Sequence, residues 1–194
     1  MNTPLAERMR PRALINYHGQ SHLVGPKGGL TKMIKNGVFP SIILWGPPGT
    51  GKTTLAQLIA LEKERPFYQI SAINAGVKEI REIIKKAENS GGLFTGKSPI
   101  LFIDEIHRFS KSQQDSLLNA VEKGIITLIG ATTENPSFEI INALLSRCQV
   151  YVLNPLAKSD LKKILKQALK DDIQLKKMAL KIKETEALIE LSGG

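Results

Sequence analysis

Eight consecutive residues, Gly46-Pro47-Pro48-Gly49-Thr50-Gly51-Lys52-Thr53, fit the spacing G-x-x-x-x-G-K-[ST]. Glycines so placed let backbone N–H groups converge on a phosphate, and a helix opening at the end of the loop adds partial positive charge. In that geometry Pro48, Gly49, Thr50, Gly51, Lys52, Thr53 and Thr54 surround a nucleotide's phosphates. Lys52 reaches the β- and γ-phosphates, and the Thr53 hydroxyl is a ligand for Mg²⁺. A turn of the same composition that binds nothing is the alternative. Further on, Ile100-Leu101-Phe102-Ile103-Asp104-Glu105 is an apolar run ending in two carboxylates. A buried strand of this kind delivers both acids to the carboxyl edge of a sheet. Asp104 then partners Mg²⁺, and Glu105, pointing elsewhere, orients and deprotonates an attacking water. If Glu105 were only a solvated loop acid, the chain would bind nucleotide without turning it over. A third run, Ile125–Gly130, leads into Ala131-Thr132-Thr133-Glu134-Asn135. Thr133 or Thr132 can there bond a γ-phosphate and the water; a Thr/Asn turn or helix cap explains the same residues.

Those residues need a sheet to bring them together, and the hydropathy pattern supplies one. Ser41–Gly46, Pro99–Ile103 and Ile125–Gly130 are continuously apolar, as central parallel strands covered on both faces are. Phe67–Ile70 and Gln149–Leu153 are weaker candidates, which makes five strands. Helical stripes lie between them: Thr53–Glu64; Val77, Ile80, Ile83, Ile84 and Ala87, stopped by Asn89-Ser90-Gly91-Gly92; a helix capped by Ser110 carrying Leu117, Leu118 and Val121; and Phe138–Leu145. Alternating βα units predict an α/β fold with a doubly wound parallel sheet. Trp45 is expected in the core. After Pro155 two amphipathic helices follow without a strand, one through Leu161, Ile164, Leu165, Ala168 and Leu169, the other through Ala187, Leu188 and Leu191. They read as the start of a small helical subdomain with an incomplete core, as in a fragment.

Composition narrows the setting. The 194 residues carry 27 Lys+Arg against 18 Asp+Glu, a net charge of +9. Residues 1–40 hold 6 basic and 1 acidic side chains, residues 41–154 hold 12 and 11, and residues 155–194 hold 9 and 6. Basic ends around a neutral middle suit an anionic partner such as nucleic acid, although Lys-rich helix faces are also simply solvated. Apolar runs fall far short of the roughly twenty residues of a membrane span. The amino terminus lacks the apolar stretch of a secretory signal. A single cysteine, Cys148, excludes an internal disulfide and a Cys-based zinc site, as expected of a cytoplasmic protein.

The chain resembles an AAA+ ATPase, and more narrowly the RarA/MgsA family, called Werner-helicase-interacting protein in animals. The resemblance is carried by Pro4–Pro11, Leu44–Thr54, Gly76–Glu82, Asp104–Phe109, Lys111–Asp115 and Gly130–Phe138. It implies a P-loop NTPase core over 41–154 with a five-stranded parallel sheet flanked by helices. It implies too an N-terminal segment over 1–40 packing on the nucleotide site, and part of a helical lid over 155–194 that stops before the sensor 2 arginine. Arg10-Pro11 and Gly19-Gln20 fall where clamp-loader-like relatives pack around adenine; His18 stands where an aliphatic residue is usual. Thr133 matches the sensor 1 position. Ser146-Arg147-Cys148 matches a motif whose arginine reaches the γ-phosphate of a neighbouring subunit. Lys78, Arg81 and Lys85 share one helix face, which in relatives looks into a central channel where DNA runs; a face salt-bridged by Glu79 and Glu82 is the other reading.

The expectation is an ATP-binding and ATP-hydrolysing module using Mg²⁺, slow in a chain lacking sensor 2. It belongs to a tetrameric, bacterial nucleoid-associated protein that works with replication proteins on DNA at stalled forks, in recombination and repair. A clamp-loader subunit, a Holliday-junction branch-migration motor, and a nucleotide-switched binding module without turnover are the rivals.

Overall fold

Apolar runs become the middle of the sheet. The computed structural model describes residues 3–36, 39–72, 76–89, 98–178, 180 and 182–191. Among them β1 (Ile42–Trp45), β2 (Phe67–Ser71), β3 (Ile100–Asp104), β4 (Thr127–Thr132) and β5 (Gln149–Val152) form one sheet in the order β2-β3-β4-β1-β5, with every pairing parallel. β4 therefore lies between β1, which leads into the glycine loop, and β3, which ends in the carboxylates. Three separate stretches of sequence thus meet at one sheet edge.

Alternation along the strands divides the core in two. Ile42, Leu44, Ile100 and Phe102 face Leu30 and Ile34 of α3 (Gly29–Lys35) and Leu55 and Ile59 of α4 (Lys52–Glu62). Ile43, Leu101, Ile103 and Leu128 face Ile80 of α5 (Val77–Asn89) and Leu117 of α6 (Lys111–Glu122). Both faces of the central strands are shut off from water, as their unbroken hydrophobicity requires. Ser110 caps α6 with a full capping box: its side chain accepts from Gln113 N while the Gln113 side chain accepts from Ser110 N. Such a cap contributes about 1 kcal/mol.

Several elements differ from the sequence expectation. β4 starts two residues late, because Ile125 and Ile126 are buried while their N–H groups close the end of α6 on Ala120 O. Phe138–Leu145 is not one helix but two, α7 (Pro136–Glu139) and α8 (Asn142–Leu145). The break has a cause in Gln114, which is buried. Its Oε1 accepts from Ile141 N, and its Nε2 donates to Phe109 O and Glu139 O. That one amide takes up the backbone groups at the corner, so the chain turns there. Trp45 is half-buried rather than a core residue. The stop signals at Ser90-Gly91-Gly92 and Ser192-Gly193-Gly194 lie outside the described residues.

The N-terminal segment and the helices after β5 pack on each other beside the loop. α1 (Leu5–Arg8) and α2 (Ser21–Val24) precede α3. α9 (Lys158–Asp171), α10 (Ile173–Lys177) and α11 (Thr185–Leu191) follow β5; α10, short and with no buried side chain, left no stripe to read. Arg8 makes a two-point ion pair with buried Asp172, Nε to Oδ2 at 2.7 Å and Nη2 to Oδ1 at 3.0 Å. Asp172 also caps α10 by accepting from Leu175 N. Buried Gln20 donates to Asn154 O and accepts from Asn154 N. Among the described residues no helix is long and apolar enough to cross a membrane.

Candidate active site

The glycine loop joins β1 to α4. Gly51, at φ 90°, is the N-cap of α4 and offers no side chain to occupy the helix's first N–H groups. A Cβ on Gly51 would also lie 2.7 Å from the Tyr17 hydroxyl, which donates to the carbonyls of Thr50 and Gly51. With those carbonyls engaged on the Tyr17 side, the α4 amides are left for an anion. Thr50 is buried, its hydroxyl donating to Pro47 O. Lys52 is folded onto the loop, its Nζ donating to Gly46 O at 2.7 Å and Pro47 O at 2.9 Å. Burial pushes the Lys52 ammonium below its ordinary value, and the Glu105 and Asp104 carboxylates pull it back up.

Across the cleft, Asp104 ends β3 and Glu105 leaves the strand in the left-handed region, at φ 53° and ψ 47°. For a side chain with a Cβ that conformation costs about 1–2 kcal/mol, so the surroundings must hold it. They do so through a 3-10 turn over Ile106–Arg108, with Arg108 N donating to Glu105 O, and through the fully buried Ile106. Ile106 fits because β4 carries Gly130, where a Cβ would meet Ile106 Cδ1 at 3.1 Å and Ile43 Cδ1 at 2.7 Å. Both carboxylates line the cleft opposite the loop. Burial, and then the Glu105 charge, raise Asp104 above the usual carboxylate range. Glu105 Oε2 lies 3.4 Å from the Thr133 hydroxyl and 3.2 Å from His107 Nδ1.

The adjacent threonines at the end of β4 have different jobs. Thr132 is fully buried and closes a turn, its hydroxyl donating to Glu134 O and accepting from Glu134 N. Thr133, half-buried, faces Glu105. Of the two, only Thr133 has its hydroxyl turned to the cleft carboxylate.

A cavity of about 350 Å³ runs between the loop and the carboxylates, lined by Pro48, Lys52, Thr53, Asp104 and Glu105. Thr53 and Asp104 present hard oxygen donors, a set that suits Mg²⁺. Among the described residues no group of three or more His, Cys, Asp or Glu forms a metal cage. A Mg²⁺ ion shared with phosphate oxygens and water needs none. Arg10, Gly49, Gly51 and Thr54 line this cavity and also a second, mostly apolar one of about 220 Å³. The second is walled by Met9, Pro11, Tyr17, Leu156 and Ile164, with His18 bonded to Gln167 at 2.8 Å. One groove thus has a polar end that suits phosphates and an apolar end of the sort a purine ring fills.

The structure brings Arg10, Pro11, Pro48, Gly49, Thr50, Gly51, Lys52, Thr53, Thr54, Asp104 and Glu105 together along this groove, with Thr133 bonded to Glu105. It leaves others outside. Gly19 stands behind the base end against Leu156, and Gln20 is spent on Asn154. Arg147 lines neither cavity; it pairs with Glu122 and donates to Ala143 O. Lys78, Arg81 and Lys85 are exposed along α5 and, among the described residues, have no ion-pair partner, Glu79 and Glu82 included. Sequence reading missed Tyr17, Asn16 and Gln167 in the cavity wall; only their company in three dimensions marks them.

Comparison with known proteins agrees with this fold. Residues 42–156 match AAA, the ATPase family associated with various cellular activities. The chain belongs to the AAA family. As in the sequence resemblance, its AAA relatives include replication-associated recombination protein A from Coxiella burnetii, 54% identical over 93% of this chain and 40% of that protein. Another is ATPase WRNIP1 from Dictyostelium discoideum, 51% identical over 86% of this chain and 19% of that protein. The chain therefore spans less than half the length of these relatives. Among AAA structures, the RuvB Holliday junction branch migration motor of Thermotoga maritima superposes with a TM-score of 0.68 at 30% identity, over 84% of this chain and 54% of that one.

Proposed function

We propose that this AAA chain binds ATP with Mg²⁺ in the groove, hydrolyses the γ-phosphate, and drives a protein that acts on DNA at stalled or damaged replication forks. The observation that carries the reading is the continuity of the groove. An apolar end sized for a base opens, past Arg10 and Thr54, into a polar end where Lys52, Thr53, Asp104 and Glu105 converge. Thr53 and Asp104 would hold the Mg²⁺, which would supply charge neutralisation to the phosphates. The α4 amides and Lys52 bind those phosphates. Glu105 takes a proton from water as the water oxygen bonds to the γ-phosphorus, the bond to the bridging oxygen breaks, and ADP leaves. Thr133 helps fix the line of attack. Arg10 and Pro11 hold the base end directly, with Gly19 and Gln20 backing Leu156 and Asn154.

Arg147 completes the site of a neighbouring subunit in this reading. Its exposed corner, clear of its own groove, supports a role in trans that ties turnover to assembly, as a tetramer. The exposed Lys78, Arg81 and Lys85, without an ion-pair partner among the described residues, support phosphate contacts with DNA that do not read sequence. The names of the recombination relatives support the cytoplasmic, replication-linked setting, and replication proteins as partners. The likeness to RuvB supports a second reading, branch migration. ATPase assays at stated salt separate the two: stimulation by single strands or forks fits the first, and stimulation by four-way junctions alone fits the second.

The chemistry is tested with Glu105→Gln. The variant should keep ATP affinity and lose phosphate release by on the order of a hundredfold or more. Unchanged release would refute the role of Glu105, and a protein that serves only as a switch has no release to lose.

A further inference from the structure

His107 is more than a turn residue beside the carboxylates. Its side chain is 12% exposed, and its Nδ1 stands 3.0 Å from Thr132 Oγ1 and 3.2 Å from Glu105 Oε2. The Thr132 hydroxyl has one proton, and that proton goes to Glu134 O. Towards His107 it can therefore only accept, and the Glu105 carboxylate likewise only accepts. Both neighbours favour a hydrogen on Nδ1, whose hydrogen-bond partner is Thr132, while Glu105 Oε2 stands beside it as a close electrostatic contact.

Thr132 is also the link to the phosphate loop, for its carbonyl accepts from Gly46 N at 3.1 Å. A continuous path runs from the first residue of the loop through Thr132 and His107 to Glu105. At its end, among the described residues, the side-chain contacts of Glu105 fall on Oε2 alone: a hydrogen bond from the Thr133 hydroxyl and the close approach of His107 Nδ1. Oε1 is left for water. Backbone strain gives this path work to do, since Glu105 sits in a left-handed conformation from which its side chain would otherwise swing.

We infer that His107 is a positioning residue: held by Thr132, it sets Nδ1 against one oxygen of Glu105, leaves the other aimed at the attacking water, and ties that aim to the phosphate loop by way of Thr132. This rests on the proposed role of Glu105 in hydrolysis. No proton is transferred through His107 in this role; it acts through Glu105.

The test uses isosteric logic. An asparagine amide places an N–H where histidine has Nδ1, whereas a glutamine amide lies one methylene too far. His107→Ala and His107→Gln should lower kcat on the order of ten- to a hundredfold, with ATP affinity and KM unchanged, and His107→Asn should restore most of the rate. In a Glu105→Gln background, His107→Ala should cost nothing further. Wild-type kcat in His107→Ala overturns the inference. So does an equal loss in all three variants that follows their melting temperatures, or a full additional loss on top of Glu105→Gln. Wild-type phosphate release by Glu105→Gln alone instead refutes the hydrolytic reading itself and removes the inference with it, so the two failures are told apart by that one variant.

Discussion

The two ends of the groove are built by opposite means. At the phosphate end the lining comes mainly from the loop and start of α4 between Pro48 and Thr54 and from Asp104 and Glu105 at the end of β3, whose register the sheet locks. Arg10 is shared between the two ends. At the base end they come from the N-terminal segment, the loop and α9, held together by side-chain bonds over long sequence separations: Arg8 to Asp172, His18 to Gln167, Gln20 to Asn154. The first end depends on backbone geometry and a few charged groups, so it fails by loss of one residue's chemistry. The second depends on tethers, so it loosens by degrees.

Lys52→Ala should have the largest effect on this contrast. Losing a charged donor to the phosphates lowers ATP affinity on the order of ten- to a hundredfold, with the melting temperature little changed. A large loss of stability instead would mean that the bonds from Lys52 to Gly46 and Pro47 hold the loop, and that the phosphate end also relies on tethers. Titration of the variant with ATP, beside a thermal melt, decides.

An intermediate effect belongs to Asp172. The Arg8 guanidinium, and then the Leu175 N–H, hold its carboxyl down to about 2, against an ordinary value of 3.8. Between those values the unfolded chain binds a proton that the folded chain does not, so this contribution is fully present above about pH 4 and is lost as pH falls towards 2. Asp172→Asn should melt a few degrees lower at neutral pH and show a shallower fall in melting temperature across that acid window. Curves parallel to wild type would show that the tether holds nothing.

Tyr17→Phe should have the smallest effect and sharpen the comparison most. Its hydroxyl holds loop carbonyls while its ring lines the base end. Losing the hydroxyl costs about 1 kcal/mol, or roughly fivefold in affinity. Tripolyphosphate and ATP should weaken together if the hydroxyl acts on the loop. Weakening of ATP alone would assign it to the base end.

How far the molecule could be read in advance follows the same division. The glycine loop, the strand-end carboxylates and the five strands are local patterns: spacing or hydropathy within a few residues specifies them, and the sheet then brings them to one edge. The base end has no local signature. Tyr17, Leu156 and Gln167 are unremarkable until the fold sets them side by side. Buried polar groups mislead in the same way: Gln114 looks like one more polar residue of an exposed helix face, yet its amide breaks the helix expected over Phe138–Leu145. At β4 burial and pairing part company, since Ile125 and Ile126 are buried without joining the strand. That shift places Thr132 at the strand end and leaves Thr133 as the one beside Glu105.

The claim everything depends on is that the groove takes up a base at one end and a triphosphate at the other. Equilibrium titration with a fluorescent adenine nucleotide, with and without Mg²⁺ and with tripolyphosphate as competitor, measures it directly. Saturable one-site binding that Mg²⁺ strengthens, tripolyphosphate displaces and Lys52→Ala weakens is the predicted result. A signal that never saturates, or one identical in wild type and Lys52→Ala, would contradict it.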